Sequence, residues 1–197
     1  MSIAITEREK KSELTANHLS ETAMSLFRQY GFDRVTIDDI CSHCNVTKGA
    51  FYYHFPSKEH IISYGVNHEL DNYVTEHFVL NEEDSLSEQL ISLQECAFSY
   101  FREAGRDITQ YSYVGQVQSM IDLKIPHRAY VSTLSGIINR CVEENAFKSQ
   151  LDSDNCYMMN IMAFTGFLLK WCSVPDDRDH LYKWDIILKD LISSLFC

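Results

Sequence analysis

The 197-residue sequence predicts an all-α protein. Three observations predict it. Only 7 Gly and 3 Pro occur, too few to punctuate a sandwich or barrel, which turns about every 8–12 residues. Apolar residues recur at helix spacing from end to end. The breaks between those runs carry helix stop and start residues: Ser, Thr or Asp before a run, Gly or Pro after it. At 45% hydrophobic and 23% charged residues, the composition is that of a globular chain and excludes disorder.

The pattern divides into about nine helices with no strand. Residues 7–29 place Leu14, Leu19, Ala23, Leu26 and Phe27 on one stripe, and Gly31 ends the run in a left-handed cap. Thr36 caps a short second helix, and Asp39 completes a capping-box-like pair. Asn45 interrupts that helix, because Asn tolerates the left-handed conformation of a tight turn. Thr47 caps a third helix that must stop at Phe55-Pro56. Ser57 caps a fourth over residues 58–79. Asp84 or Ser85 opens a fifth, with Leu86, Leu90, Leu93, Ala97 and Phe101 inward and Ala104-Gly105 at its end. A sixth runs over residues 107–121. The Pro126 region opens a seventh, with Tyr130, Leu134, Ile137, Ile138 and Cys141 inward. Ser153 or Asp154 caps the eighth, and Val174-Pro175-Asp176 breaks it. The ninth carries Leu181, Trp184, Ile187, Leu188, Leu191 and Leu195.

Residues 36–55, two short helices joined by a tight turn, have the shape of a helix-turn-helix. Ile37, Ile40, Cys41, Val46, Phe51 and Phe55 make its inner side. Thr47, Lys48, Gly49, Ala50, Tyr52, Tyr53 and His54 are left on the outer side and the tip. Lys48 suits a phosphate or a guanine edge, and the Ala50 methyl suits a thymine methyl. Gly49 lets a groove approach closely. Tyr52, Tyr53, His54 and Lys58 can donate to phosphates, as can the amides at the Thr36 helix start.

The run Phe51-Tyr52-Tyr53-His54-Phe55-Pro56-Ser57-Lys58-Glu59, with Thr36-Ile37-Asp38-Asp39-Ile40 and Val46-Thr47-Lys48-Gly49-Ala50 before it, resembles the DNA-binding motif of the tetracycline-repressor (TetR) family. The resemblance is strong over residues 12–66 and weaker beyond, where Thr165-Gly166-Phe167-Leu168-Leu169-Lys170-Trp171 is similar to a stretch of the family's eighth helix. Asn45 stands where the family usually has Gly, and Cys41 and Cys44 stand where it often has Ala. The resemblance implies a homodimeric transcriptional regulator, most often a repressor, that binds a roughly palindromic double-stranded operator and answers to a small-molecule effector. It divides the chain into a DNA-binding domain at 1–60 and an effector-binding and dimerisation domain at 61–197.

Within that second domain, aromatic and polar residues suit the wall of a moderately apolar pocket. Phe98, Phe101, Tyr111, Tyr113, Gln116, Met120, Leu134, Met162 and Trp171 are the candidates for ligand contact. The last two helices are apolar on more than one stripe, which marks burial or an interface. Tyr157, Ile161, Leu168, Trp184, Leu188, Leu191 and Leu195 are the candidates for a four-helix dimer contact.

Other readings are weaker. Cys41-Ser42-His43-Cys44 invites a metal or a redox switch, but a closed zinc site needs four ligands and no second pair stands nearby. Small buried thiols are the simpler reading. The acidic runs at 82–84 and 176–179 lack calcium-loop spacing. No phosphate loop, nucleophile elbow or zinc-protease His pair appears, so no enzyme and no cofactor is expected. The longest apolar run, near 161–169, is far short of the roughly 20 residues of a membrane span, and the charged start is no signal peptide. A cytoplasmic protein without membrane contact is expected. The remaining alternatives are a helical small-molecule-binding module whose DNA role is lost or secondary, and a redox-sensing regulator using Cys41 and Cys44.

The net charge of −11 argues against a nucleic-acid binder until it is located. Residues 1–60 carry seven basic against eight acidic side chains, leaving −1, whereas residues 61–197 carry ten against twenty, leaving −10. The head is therefore near neutral. Weak sequence-blind binding is expected, with close contacts from two heads supplying the rest.

Overall fold

The computed structural model describes residues 7–119 and 128–196. Among these residues nine α-helices follow one another: α1 (Glu7–Tyr30), α2 (Ile37–Cys44), α3 (Lys48–His54), α4 (Lys58–His77), α5 (Leu86–Ala104), α6 (Arg106–Ser119), α7 (Ala129–Glu143), α8 (Ser153–Cys172) and α9 (Trp184–Ser193). Short 3-10 turns lie at Phe32–Arg34 and Asp176–Leu181. An antiparallel bridge between Phe147 and Phe196 is the one isolated strand pairing among the described residues.

The helices form two compact units. One holds the described residues up to His68 together with those from Asp107 to the end of α6; the other holds Glu69–Arg106 and the residues from 128 onward. The chain passes from the first unit to the second within α4, after His68. The sixth helix, expected in the effector domain, groups with the head.

In the first unit, Leu19, Ala23, Met24, Leu26 and Phe27 of α1 are buried. Leu14 is not: it is 68% exposed, one turn before the helix reaches its partners. Gly31 ends α1, its N–H donating to the Phe27 carbonyl at 2.9 Å. Its φ of 88° and ψ of 144° lie in a region open only to glycine, rather than in the left-handed helical well. Asn45 does occupy that well, at φ 54° and ψ 43°. It turns the chain so that Val46 N–H reaches the Cys41 carbonyl at 3.0 Å. α6 lies against α4, where Ser63 Oγ donates to the Ser112 carbonyl at 2.7 Å. At Gly115 a Cβ would collide with the Glu59 carbonyl oxygen, and at Gly65 of α4 one would collide with Met24 of α1.

In the second unit, α5 touches α7 and α9, and α8 touches α7 and α9. Ser85 opens α5 with a full capping box to Glu88. The cap of α8 is Asp152, one residue before the two expected: its Oδ1 accepts from Asn155 N–H at 2.9 Å. α9 is shorter than expected, so Leu181 falls in the preceding 3-10 turn and Leu195 beyond the helix. Phe98 meets Phe167 and Trp171 edge-on, at 4.9 and 5.5 Å between ring centroids. Phe101 and Phe164 extend this aromatic core. Arg106 pins its edge: it donates to the Trp171 carbonyl at 3.1 Å and pairs with Asp176 and Asp179. Trp184 Nε1 donates to the same Asp179 at 2.6 Å. No helix among the described residues is long and apolar enough to cross a membrane.

Candidate nucleic-acid interface

The helix-turn-helix is built on two side-chain caps. Thr36 Oγ1 accepts from Asp39 N–H at 3.2 Å while Thr36 N–H donates to Asp39 Oδ2 at 2.8 Å, closing the expected capping box. The Thr36 hydroxyl, with its backbone N–H, holds the Asp39 carboxyl below its usual range. Thr47 Oγ1 accepts from Ala50 N–H at 3.2 Å and starts α3. Ile40, Cys41, Cys44, Phe51 and Phe55 are buried beneath; Ile37 and Val46 are half-buried. Both α2 and α3 are thereby fixed at their N-termini and anchored on the inner side.

The outer side carries most of the expected DNA contacts. Thr36, Thr47, Lys48, Gly49, Tyr52 and Tyr53 are exposed, and Ala50 and His54 are half-exposed. Tyr53 and His54 meet edge-on at 4.9 Å between centroids, so the two rings brace each other. Lys48 does not stand alone. Its ammonium lies 2.8 Å from Asp38 Oδ1 of α2, and this carboxylate raises its pKa.

Lys58 departs from expectation. Its ammonium donates to the carbonyls of Phe32 and Val35, at 2.6 and 3.0 Å, and lies 4.2 Å above the Phe32 ring. It ties the start of α4 to the turn after α1, so its first role is internal. A lysine beside Pro56-Ser57 reads as a free cation in sequence; only the fold shows the carbonyls around it.

The expected ligand residues within the described part of the chain fall in both units. Phe98, Phe101, Leu134 and Trp171 lie buried in the second unit, and Phe98 and Trp171 meet edge-on. Tyr111 lies in the head unit, where its hydroxyl donates to Asp33 at 2.6 Å. Tyr113 and Gln116 are half-buried on the same helix. Met162 is 65% exposed, on the outward side of α8. Met120 lies outside the described residues. What the sequence reading missed is a buried polar chain in the second unit. Tyr130 Oη donates to Gln94 Oε1 at 2.9 Å, and Gln94 Nε2 donates to Asn160 Oδ1 at 2.6 Å. Asn160 Nδ2 is buried with no acceptor among the described residues. Its signal in the sequence was a pair of amides on otherwise apolar stripes of α5 and α8. A separate groove of about 480 Å³ opens near Phe78, Thr133, Gly136 and Arg140 and includes none of the nine.

The expected dimer residues divide in the same way. Tyr157, Leu168, Trp184 and Leu188 are buried within the one chain, while Ile161, Leu191 and Leu195 are half-buried. The outward apolar residues are Met158, Met162 and Leu169 of α8 and Ile186 and Ile187 of α9. A helix apolar on two stripes does not reveal which stripe its own chain covers.

Cys41 and Cys44 are buried, and burial pushes the Cys41 thiol up, away from thiolate. No group of three or more His, Cys, Asp or Glu able to hold a metal occurs among the described residues.

A capped helix-turn-helix with an exposed second helix, followed by a larger helical unit, defines a DNA-binding transcriptional regulator. Residues 19–64 match the family model described as bacterial regulatory proteins, tetR family. The chain is 26% identical over 191 residues to the "Probable acrEF/envCD operon repressor" of Escherichia coli K12, covering 92% of this chain and 86% of that one. It is 28% identical over 108 residues to the IcaR negative transcriptional regulator of the icaADBC biofilm operon of Staphylococcus epidermidis, covering 54% of this chain and 57% of that one. Its fold is similar to a TetR-family transcriptional regulator from Pectobacterium atrosepticum, with a TM-score of 0.61, 15% identity and 95% and 96% of the two chains covered. It is also similar to the fatty acid degradation regulator FadR from Bacillus halodurans, with a TM-score of 0.57, 15% identity and coverage of 92% and 94%. Residues 19–64 are thus a DNA-binding segment like that of bacterial tetR-family regulatory proteins, and the chain as a whole is similar to repressors and regulators of transcription. The matched relatives are regulators, not enzymes.

Proposed function

We propose that this regulator represses its target genes by binding a roughly palindromic operator as a homodimer in the cytoplasm, and leaves it when a small molecule binds the second unit. The observation that carries the DNA reading is the outer side of α3. Thr47, Lys48, Gly49, Tyr52 and Tyr53 are exposed together on a helix fixed by its cap and its buried Phe51. Repression is supported by relatives that bear the names of repressors and negative regulators. The second copy covers the outward apolar face of α8 and α9. Gly166 is open on α8 and lets a partner helix approach closely.

The effector reading is supported by the Tyr130–Gln94–Asn160 chain. A buried amide donor with nothing to meet costs roughly 1–3 kcal/mol, and an acceptor oxygen on a ligand of apolar body would relieve it. Effector binding shifts a pre-existing equilibrium only to the extent that one conformation binds better. α4 contributes residues to both units and is the element whose tilt would set the spacing of the two heads.

The test is retardation of DNA from the gene's own upstream region by the purified full chain. Lys48→Ala and Tyr52→Ala weaken the complex and leave the dimer intact. Unchanged operator affinity in both variants would exclude this docking.

A further inference from the structure

We propose that Asp38 and Lys48 act as one unit that reads a single G·C base pair in each half-site. The reading rests on α3 entering the major groove, as proposed above. Asp38 lies in the first turn of α2 and Lys48 is the first residue of α3. Their 2.8 Å contact brings the N-terminal ends of the two helices to one point on the outer side. Both side chains are more than half exposed, at 64% and 59%, so the pair faces outward and is not a core bridge.

The chemistry of the pair differs from that of a free lysine. An isolated ammonium has three donors and a full charge, and it settles as readily on a phosphate, which carries no sequence information. Beside a carboxylate its charge is largely cancelled. What remains is a row of donors next to an acceptor.

The major-groove edge of G·C presents two acceptors, guanine N7 and O6, followed by the cytosine N4–H donor. One Lys48 donor goes to Asp38 and two remain for N7 and O6. A lone pair of Asp38 takes the cytosine N4–H. Every polar group is then paired. An A·T pair presents an acceptor, a donor and an acceptor. The second lysine donor would face the adenine N6–H, and the match fails. A near-neutral head fits this arrangement, because a reader of base edges needs donor and acceptor order more than net charge.

The obvious alternative is that Asp38 only screens the head from phosphate. The experiment separates the two. The full-length protein, its Asp38→Ala variant and its Lys48→Ala variant each enrich duplexes from a randomised pool. The enriched duplex is then assayed by anisotropy in three forms: intact, with one G·C changed to A·T, and with that guanine replaced by 7-deazaguanine. Both variants fold, because Asp39 and Thr47 make the caps and neither substitution touches them.

The expected result is one G·C position per half-site that disappears from the motif in both variants while the other positions persist. The wild type loses roughly ten-fold in affinity on the A·T change and also weakens with 7-deazaguanine. Asp38→Ala loses most of that discrimination. If Asp38→Ala tightens binding to all duplexes equally and leaves the motif unchanged, Asp38 is only a screen and the inference falls. If Lys48→Ala alone erases the position, docking of α3 stands and the joint reading falls. A motif indifferent to Lys48→Ala and to Tyr52→Ala would overturn the docking and the pair together.

Discussion

The ring of Tyr111 in α6 lies stacked on that of Phe32, with 4.1 Å between centroids and 23° between planes. Its hydroxyl reaches Asp33 of the same turn, and that hydrogen bond raises its pKa. Phe32 carries Lys58 on its ring as well. A residue expected in an effector pocket is thus part of the scaffold that holds the reading helices. Tyr111→Ala lowers stability by roughly 1–2 kcal/mol and weakens DNA binding with it. Tyr111→Phe keeps the stack and most of the stability. Urea titration of both variants checks this; equal losses would show that the hydroxyl, not the ring, matters.

Lys58 gives a second expectation. Because its ammonium serves the Phe32 and Val35 carbonyls, Lys58→Ala costs roughly 1–2 kcal/mol of stability. It leaves the slope of DNA affinity against salt unchanged. A shallower slope by about one would show that this ammonium releases a counterion at a phosphate.

On α8 the two apolar sides separate cleanly. Met162→Asp places a charge on the outward side and shifts sedimentation toward monomer with the helical content intact. Leu168→Asp, on the buried side, unfolds the second unit. A dimer untouched by Met162→Asp and by Leu169→Asp would move the interface elsewhere.

The amide chain predicts non-additivity. Asn160→Leu removes the acceptor of Gln94 Nε2 and costs roughly 1–3 kcal/mol. Gln94→Leu also takes an acceptor from the Tyr130 hydroxyl, and the double variant Gln94→Leu/Asn160→Leu costs less than the sum of the two single variants, because the Gln94–Asn160 hydrogen bond is lost only once. Denaturant midpoints of the three variants measure it; simple additivity would mean that the two amides are not coupled.

The capping boxes predict acid sensitivity. Thr36 and Ser85 hold Asp39 and Glu88 below the usual carboxylate range. A carboxyl depressed in the folded state stabilises it fully above the ordinary carboxylate pKa, and that contribution is lost as pH falls through the folded value. Melting temperature declines in that acid window, and Thr36→Ala flattens its share of the decline. Cys141 behaves in the opposite sense: its thiol is pushed up to about 12 by burial. It therefore resists alkylation in the native chain at neutral pH and reacts once the chain is unfolded in urea.

The features that sequence conveyed best were local ones. Thr36, Asp39, Asn45, Thr47 and Gly105 each act within a few residues, through caps and turns whose chemistry does not depend on distant neighbours. Those that escaped depend on which surfaces meet. Tyr111 and Phe101 look alike on a helical wheel, yet one stacks in the head and the other fills the aromatic core. Met162 and Phe164 both count as apolar, and only neighbouring helices decide which faces water. The Asp38–Lys48 pair spans a turn, and its closeness follows from the angle that Asn45 imposes. Asp152 does not stand out in the sequence, because two other capping residues follow it directly.

The glycines of α4 and α6 carry a mechanical consequence. At Gly65 the helix meets α1, and at Gly115 it is met by α6, in both places with no room for a Cβ. Side chains between helices act as springs, because a rotamer change absorbs an ångström of travel. At Gly65 the Met24 and Ser20 side chains keep that compliance, but at Gly115 it is missing, because α6 meets the Glu59 backbone itself. A displacement of α6 therefore reaches the first turns of α4 undamped, and from Ser57 and Lys58 it arrives directly at the residues that seat α3.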